Sequence, residues 1–129
     1  MVPRHYIPVI AWVLVICALY SIPGFDLLYQ DPWNFLTLDK LAHVFLFAVL
    51  VDLLIVAFRK QYRYRRLRLH ARKWSLLVAI GLGGVLEFYQ GTYFIMRTSD
   101  PLDFAANAIG AFMGLLMFRI VYGKELWRA

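Results

Sequence analysis

Cysteine is almost absent from this chain: Cys17 stands alone inside an apolar stretch. An intrachain disulfide is therefore excluded, and with no Cys-x-x-Cys pair there is no thiolate metal motif or dithiol redox motif. Acidic residues are scarce too, 8 against 14 lysines and arginines, and charged residues of both signs make up only 17% of the chain. A soluble domain typically carries about 25%. Tandem repeats and low-complexity linkers are missing as well. The 129 residues read as one domain.

What is present is apolar. Hydrophobic residues make up 62% of the chain, and the mean hydropathy is +0.63. The composition is that of an integral membrane protein. Four runs carry it, and the spacing predicts spans at 7–23, 41–58, 74–96 and 104–123. Each is near the roughly 20 residues that take a helix across a hydrocarbon core of about 30 Å. A helix satisfies its own backbone groups in lipid, so the expected fold is an all-α bundle of four transmembrane helices. Arg4 precedes the first run as it would a signal peptide, but no small-x-small cleavage site follows, and the run reads as a retained span.

The charge is unevenly placed. Eight of the basic residues fall in "RKQYRYRRLRLHARK" (59–73), which reads as a short loop. The positive-inside rule puts it in the cytoplasm, and Arg4, Lys124 and Arg128 then place both termini there. The other connections face out and hold Asp26, Asp31, Asp39, Asp100 and Asp103, with Lys40 and Arg97 as their cations. A basic loop of this kind sets topology and meets anionic lipid. Nothing else in the chain supports nucleic-acid binding. The long outer connection between the first two runs carries Phe25, Tyr29, Trp33 and Phe35. These rings suit the membrane interface, or a fold-over of the outer mouth.

Several polar residues sit where a plain span would have none. In "TLDKLAH", Asp39 and His43 are four apart and share a helix face. Capping by Thr37 and the helix dipole explain Asp39 but leave His43 unexplained, a turn deeper. In "GGVLEFYQG", Gly83, Glu87 and Gln90 form one narrow stripe. Glu87 lies about 21 Å from Lys73 along a helix, in the outer third of the core. A carboxylate there must face protein or a wet cavity. In "RTSDPLDFAANAIG", Asp100 and Pro101 are helix punctuation, and capping explains Asp103 about equally well as a site does. Asn107, one turn further, is beyond the reach of a cap. Ala106, Gly110 and Gly114 make a small-xxx-small stripe beside it, so this face is predicted to pack inward. Asp52 points away from His43 and reads as structural or as part of a second polar contact, with Arg59, seven residues on and on its face, able to compensate it.

These depths converge on one layer. It holds Asp39, His43, Glu87, Gln90, Asp103 and Asn107, with Lys40 and Arg97 at the rim. His43 and Glu87 are the acid–base candidates, with Asp39 or Asp103 orienting His43. Lys40 and Arg97 suit a phosphate or carboxylate head group, and Gln90 and Asn107 supply hydrogen bonds. No serine or cysteine sits beside His43 as a nucleophile. Asp39, His43, Glu87 and Asp103 have the chemistry to hold a hard divalent metal, but no compact ligand motif assigns one. No cofactor is indicated. Three readings follow: an enzyme or binder of a membrane lipid or lipid-linked substrate, a structural or partner-binding network, and a proton-coupled transporter with Asp52 as relay.

The pattern Asp39-Lys40-x-x-His43, Glu87-x-x-Gln90, Arg97-x-x-Asp100-x-x-Asp103-x-x-x-Asn107-x-x-Gly110 resembles the VanZ-like family of small integral membrane proteins. It runs from the second apolar run through the fourth, in order. The resemblance implies a bacterial envelope protein in the cytoplasmic (inner) membrane. The family is named for an accessory protein linked to teicoplanin resistance. A reporter fused within 59–73 is expected to score as cytoplasmic, and an external signal would overturn the orientation.

Overall fold

The computed structural model describes residues 3–21, 38–93 and 101–128. Among them every regular element is helical and none is a strand. A 3-10 turn, Arg4–Tyr6, leads into α1 (Ile7–Tyr20). Then come α2 (Leu38–Lys60), a short α3 (Arg65–Leu69), α4 (Ala71–Tyr93) and α5 (Pro101–Arg128). Two stretches are long and apolar enough to cross a membrane, Lys40–Lys60 and Pro101–Gly123. With its leading turn, Arg4–Tyr20 is apolar but shorter. Glu87 and the glycines Gly81, Gly83 and Gly84 dilute the apolar character of α4.

Local chemistry sets the ends. Pro8 sits in the first turn of α1, where a backbone N–H would find no helical partner. The Ser21 hydroxyl and amide both bond back to the Cys17 carbonyl, at 2.8 and 3.1 Å, and close that helix. The first run therefore ends sooner than predicted, and positions 22–23 lie outside the described residues. Pro101 opens α5 for the same reason that Pro8 suits α1. Gly123 interrupts α5 with φ 75°, in the left-handed region that favours glycine.

The basic stretch 59–73 departs from the loop the sequence predicts. Arg59 and Lys60 finish α2, Arg65–Leu69 forms α3, and Arg72 and Lys73 already belong to α4. Arginine, lysine and leucine are strong helix formers, and no glycine or proline interrupts them. The chain reverses around Gln61 instead. This buried amide donates to the carbonyls of Phe58 (3.2 Å) and Tyr64 (2.8 Å), and its oxygen accepts from the Tyr64 amide (2.8 Å).

α2 is the hub, packed against α1, α4 and α5. It buries Phe47, Leu50, Val51, Leu54, Ile55 and Ala57. Paired residues fix the directions. Lys40 meets Asp103, His43 meets Asn107, and Arg59 lies over Phe118, so α2 and α5 run parallel. Tyr20 meets His43 and Tyr6 meets Phe58, so α1 runs opposite to α2. Gly83 faces Asn107, and Leu76 shares a cavity wall with Leu115, so α4 runs opposite to α5.

The closest approach is between α2 and α5. A Cβ at Gly110 would overlap the Val44 carbonyl oxygen, and one at Gly114 would come within 2.5 Å of the Ala48 oxygen. The small-residue stripe is thus a backbone-to-backbone contact. Large apolar side chains cover much of the outer surface, among them Leu14 on α1, Leu77 and Phe88 on α4, and Phe112 and Ile120 on α5. Gly110→Ala is expected to cost about 1–3 kcal/mol by overpacking. Gly81→Ala, with nothing within 4 Å of the added carbon, should be neutral or gain up to about 1 kcal/mol. Thermal melts in detergent followed by circular dichroism compare the two. Equal behaviour would show that the contact does not govern the packing.

Candidate functional site

Four helices bring polar side chains to one end of the bundle. Parallel packing of α2 and α5 sets the first pairs. The Lys40 ammonium lies 3.1 Å from Asp103 Oδ1, and both side chains are nearly buried, at 12% and 10% exposure. One turn deeper, His43 Nδ1 is 3.0 Å from Asn107 Oδ1. The other imidazole nitrogen, Nε2, is 3.9 Å from Asp103 Oδ2. Asp103 therefore stands between a lysine and a histidine, holding one by a direct bond and facing the other at longer range.

α1 supplies the residue that closes this network. The Tyr20 hydroxyl is 2.8 Å from His43 Nδ1, and Asn107 Nδ2 donates to it at 2.8 Å. Tyr20, His43 and Asn107 form a closed triangle, all buried. Asn107 Oδ1 and the Tyr20 oxygen are both acceptors beside Nδ1. They favour the tautomer with its hydrogen on Nδ1, a state assigned from the network. Nε2 is the ring atom on the side of Asp103. His43 is thus held at Nδ1 by side chains of α1 and α5 and faces a carboxylate with its other nitrogen.

α4 delivers Glu87, which is buried. A Cβ at Gly83 would lie 3.2 Å from Asn107 and 3.3 Å from Phe47, so the glycine admits α4 against both neighbours. Because α4 runs opposite to α5, one turn onward from Gly83 brings Glu87 to the level of Asp103. The layer thus combines a cation, two carboxyl groups, an imidazole, a phenol and an amide. All of them sit on helices that are otherwise mostly apolar.

The structure unites Lys40, His43, Asp103 and Asn107, and places Glu87 at their level. Asp39 and Gln90 belong to α2 and α4, but their side chains lie outside the described residues. Arg97, Thr37, Asp100 and the aromatic connection 24–37 lie outside them too. Sequence reasoning missed Tyr20. Its signal was faint: a tyrosine closing an otherwise aliphatic run, at the end where the other polar residues gather. Trp12 was also missed, and its indole donates to the Leu46 carbonyl at 2.9 Å, anchoring α1 along α2.

The chain matches no protein-family model, and comparison with curated proteins and with solved structures found no match.

The expected pairing of Asp52 with Arg59 is not formed. No hydrogen bond or ion pair joins them among the described residues, and the Arg59 guanidinium lies 5.2 Å from the Phe118 ring centroid. The long arginine side chain reaches across to α5 rather than back along its own helix. Fully buried Phe47, Leu50 and Val51 occupy the levels between His43 and Asp52. Among the described residues no group of three or more histidine, cysteine, aspartate or glutamate side chains is arranged to hold a metal ion.

Tyr20→Phe removes the acceptor of a fully buried amide and is expected to lower stability by about 1–3 kcal/mol. The exposed Tyr62→Phe should stay within about 0.5 kcal/mol. Denaturant unfolding of both variants, monitored by tryptophan fluorescence, separates them.

Proposed function

We propose that this protein is a multi-pass protein of the bacterial cytoplasmic membrane, of the VanZ-like type. In this reading its polar pocket binds or modifies an envelope lipid or lipid-linked molecule at the outer leaflet. Several features support the membrane part. The outward faces of α1, α4 and α5 carry large exposed apolar side chains, a surface that water disfavours and lipid accepts. Two stretches have the length and composition of spans. Because α2 and α5 run parallel, the chain must travel back between them, and α4 takes that return path. α1 runs antiparallel to α2, which supports a four-span reading. The basic residues gather at the end opposite the pocket, as the positive-inside rule requires of a cytoplasmic face.

The observation that carries the functional part is the buried cluster of Tyr20, Lys40, His43, Asp103 and Asn107 beside Glu87. Ionisable groups at membrane depth are costly, and the usual reason to keep them is function. Lys40 is a point cation for a phosphate or carboxylate head group entering from the outer side. His43 Nε2 is the proton-exchanging atom, oriented through Nδ1 by Asn107 and Tyr20. Glu87 is the second acid–base group. The exposed apolar flank beside the pocket lets a lipid-linked molecule arrive laterally while its head reaches the cluster. A link to teicoplanin susceptibility is part of this proposal and rests on the family resemblance alone.

A second reading has its own support. The Tyr20–His43–Asn107 triangle is mutually hydrogen-bonded, which is what a purely structural clamp requires. The two readings part under substitution. For a binding or catalytic pocket, His43→Gln and Glu87→Gln are expected to keep the helical circular dichroism spectrum. They should lose the molecule that mass spectrometry identifies after gentle purification of the unaltered protein. Unfolding of both variants in detergent would assign the network to structure. Retention of the same molecule by both would remove these side chains from the site.

A further inference from the structure

A second site lies at the opposite, basic end of the bundle. There the start of α1 meets the end of α2. Arg4, His5, Pro8, Leu53, Val56 and Lys60 line a cavity of about 390 Å³. A neighbouring cavity of about 330 Å³ shares His5 and Lys60 and continues to Tyr62 and Tyr64.

The order of residues along this cavity matters. Because α1 and α2 are antiparallel, Arg4 and His5 stand at the same level as Lys60. One turn into the bundle come Pro8 and Val56, and a further turn along α2 comes Leu53. The cavity is therefore a trough with cations at its mouth and aliphatic walls along its length. From Lys60 to Leu53 it runs about 10 Å along the helix axis.

The cations at the mouth are open. Neither Arg4 nor Lys60 has an ion-pair partner among the described residues, whereas Lys40 at the other end is bound to Asp103. Two nearby arginines are engaged by aromatic rings, Arg63 over Tyr64 and Arg68 over Tyr62. The mouth also holds an unsatisfied group. His5 lines both cavities, and its Nε2 is buried with no hydrogen-bond partner among the described residues.

From this arrangement we infer that the trough between α1 and α2 is a binding site for one anionic glycerophospholipid. Its phosphodiester sits among Arg4, His5 and Lys60, and an acyl chain lies along Pro8, Val56 and Leu53. The phosphate oxygens accept from the guanidinium, from the ammonium and from the His5 ring where it carries hydrogen on Nε2. Charge-assisted bonds of this kind are strong where water is partly excluded. The polarity of the trough selects the occupant. A nucleic acid would use the cations but would bury no chain against leucine and valine. A zwitterionic lipid would bring its own ammonium against three basic groups. Basic pockets between helices at the cytoplasmic face suit anionic head groups. The inference rests on the membrane reading but not on the chemistry of the outer pocket.

The test uses the full chain in mild detergent, with thermal unfolding as readout. Dioleoylphosphatidylglycerol should raise Tm in a concentration-dependent way, because a ligand that binds only the folded state stabilises it. Dioleoylphosphatidylcholine and inorganic phosphate at equal concentration should raise it little. Arg4→Gln and Lys60→Gln should each weaken phosphatidylglycerol binding about five-fold. Arg65→Gln and Arg66→Gln remove the same charge from exposed α3, outside the trough, and should leave binding unchanged. Equal loss in all four variants would mean diffuse surface charge and overturn the site. Equal stabilisation by phosphatidylcholine would overturn the head-group assignment, and equal stabilisation by phosphate would reduce the site to an anion hole. Arg4→Gln and Lys60→Gln should keep the molecule that co-purifies with the outer cluster, so failure of the outer-pocket reading registers separately.

Discussion

Everything in this molecule hangs on the close approach of α2 and α5. Gly110 against Val44 and Gly114 against Ala48 leave no room for a side chain between the two backbones. That contact sets the register of the parallel pair. The register in turn aligns Lys40 with Asp103 and His43 with Asn107 one turn deeper. A shift of α5 by a single residue would rotate its polar face by about 100° away from α2. The glycines are thus as much a part of the polar site as the residues that form it.

The polar layer solves an electrostatic problem in a particular way. Asp103 is buried, and a lone buried carboxylate would be costly. Its two oxygens are shared out, one to a full ammonium at 3.1 Å and the other toward an imidazole at 3.9 Å. His43 is held at Nδ1 by two neutral groups from two other helices. Three helices, α1, α2 and α5, are joined by directional bonds at this level. Such a layer specifies one arrangement of the bundle, and it also sets an imidazole nitrogen beside a carboxylate. Both consequences follow from the same geometry.

The two ends of the bundle differ in kind. At the end that holds His43 and Asp103 the ionisable groups are buried and mostly partnered within the protein. At the other end arginines and lysines sit at the surface, some stacked on tyrosines and some open. Between them α2 is apolar apart from Asp52, with Phe47, Leu50, Val51 and Ile55 fully buried. This dry middle separates the two ends. It gives the described residues no polar continuity from His43 toward the basic end.

Much of the architecture was legible in the chain itself. Four apolar runs, the small-xxx-small stripe and the depths of His43, Glu87 and Asn107 all follow from helical periodicity. Periodicity depends only on local spacing, and local spacing survives folding. It fails where a side chain reaches out of its own helix. Arg59 was matched to Asp52 by helical face, yet it lies over Phe118, because a long flexible stem is not bound to its own helical face. The basic segment reads as a loop from its charge, although most of its residues are good helix formers and the helices break only around Gln61 and at His70. By itself, then, the sequence determined the class of fold, the number of apolar runs and the level of the polar residues within them. Only tertiary packing decided which helices run side by side, that Tyr20 belongs with His43 and Asn107, and that Asp103 is held by Lys40. The physical reason is that level along a helix is a one-dimensional property, whereas partnership depends on rotation and register between helices, which side-chain volume at Gly83, Gly110 and Gly114 sets in three dimensions.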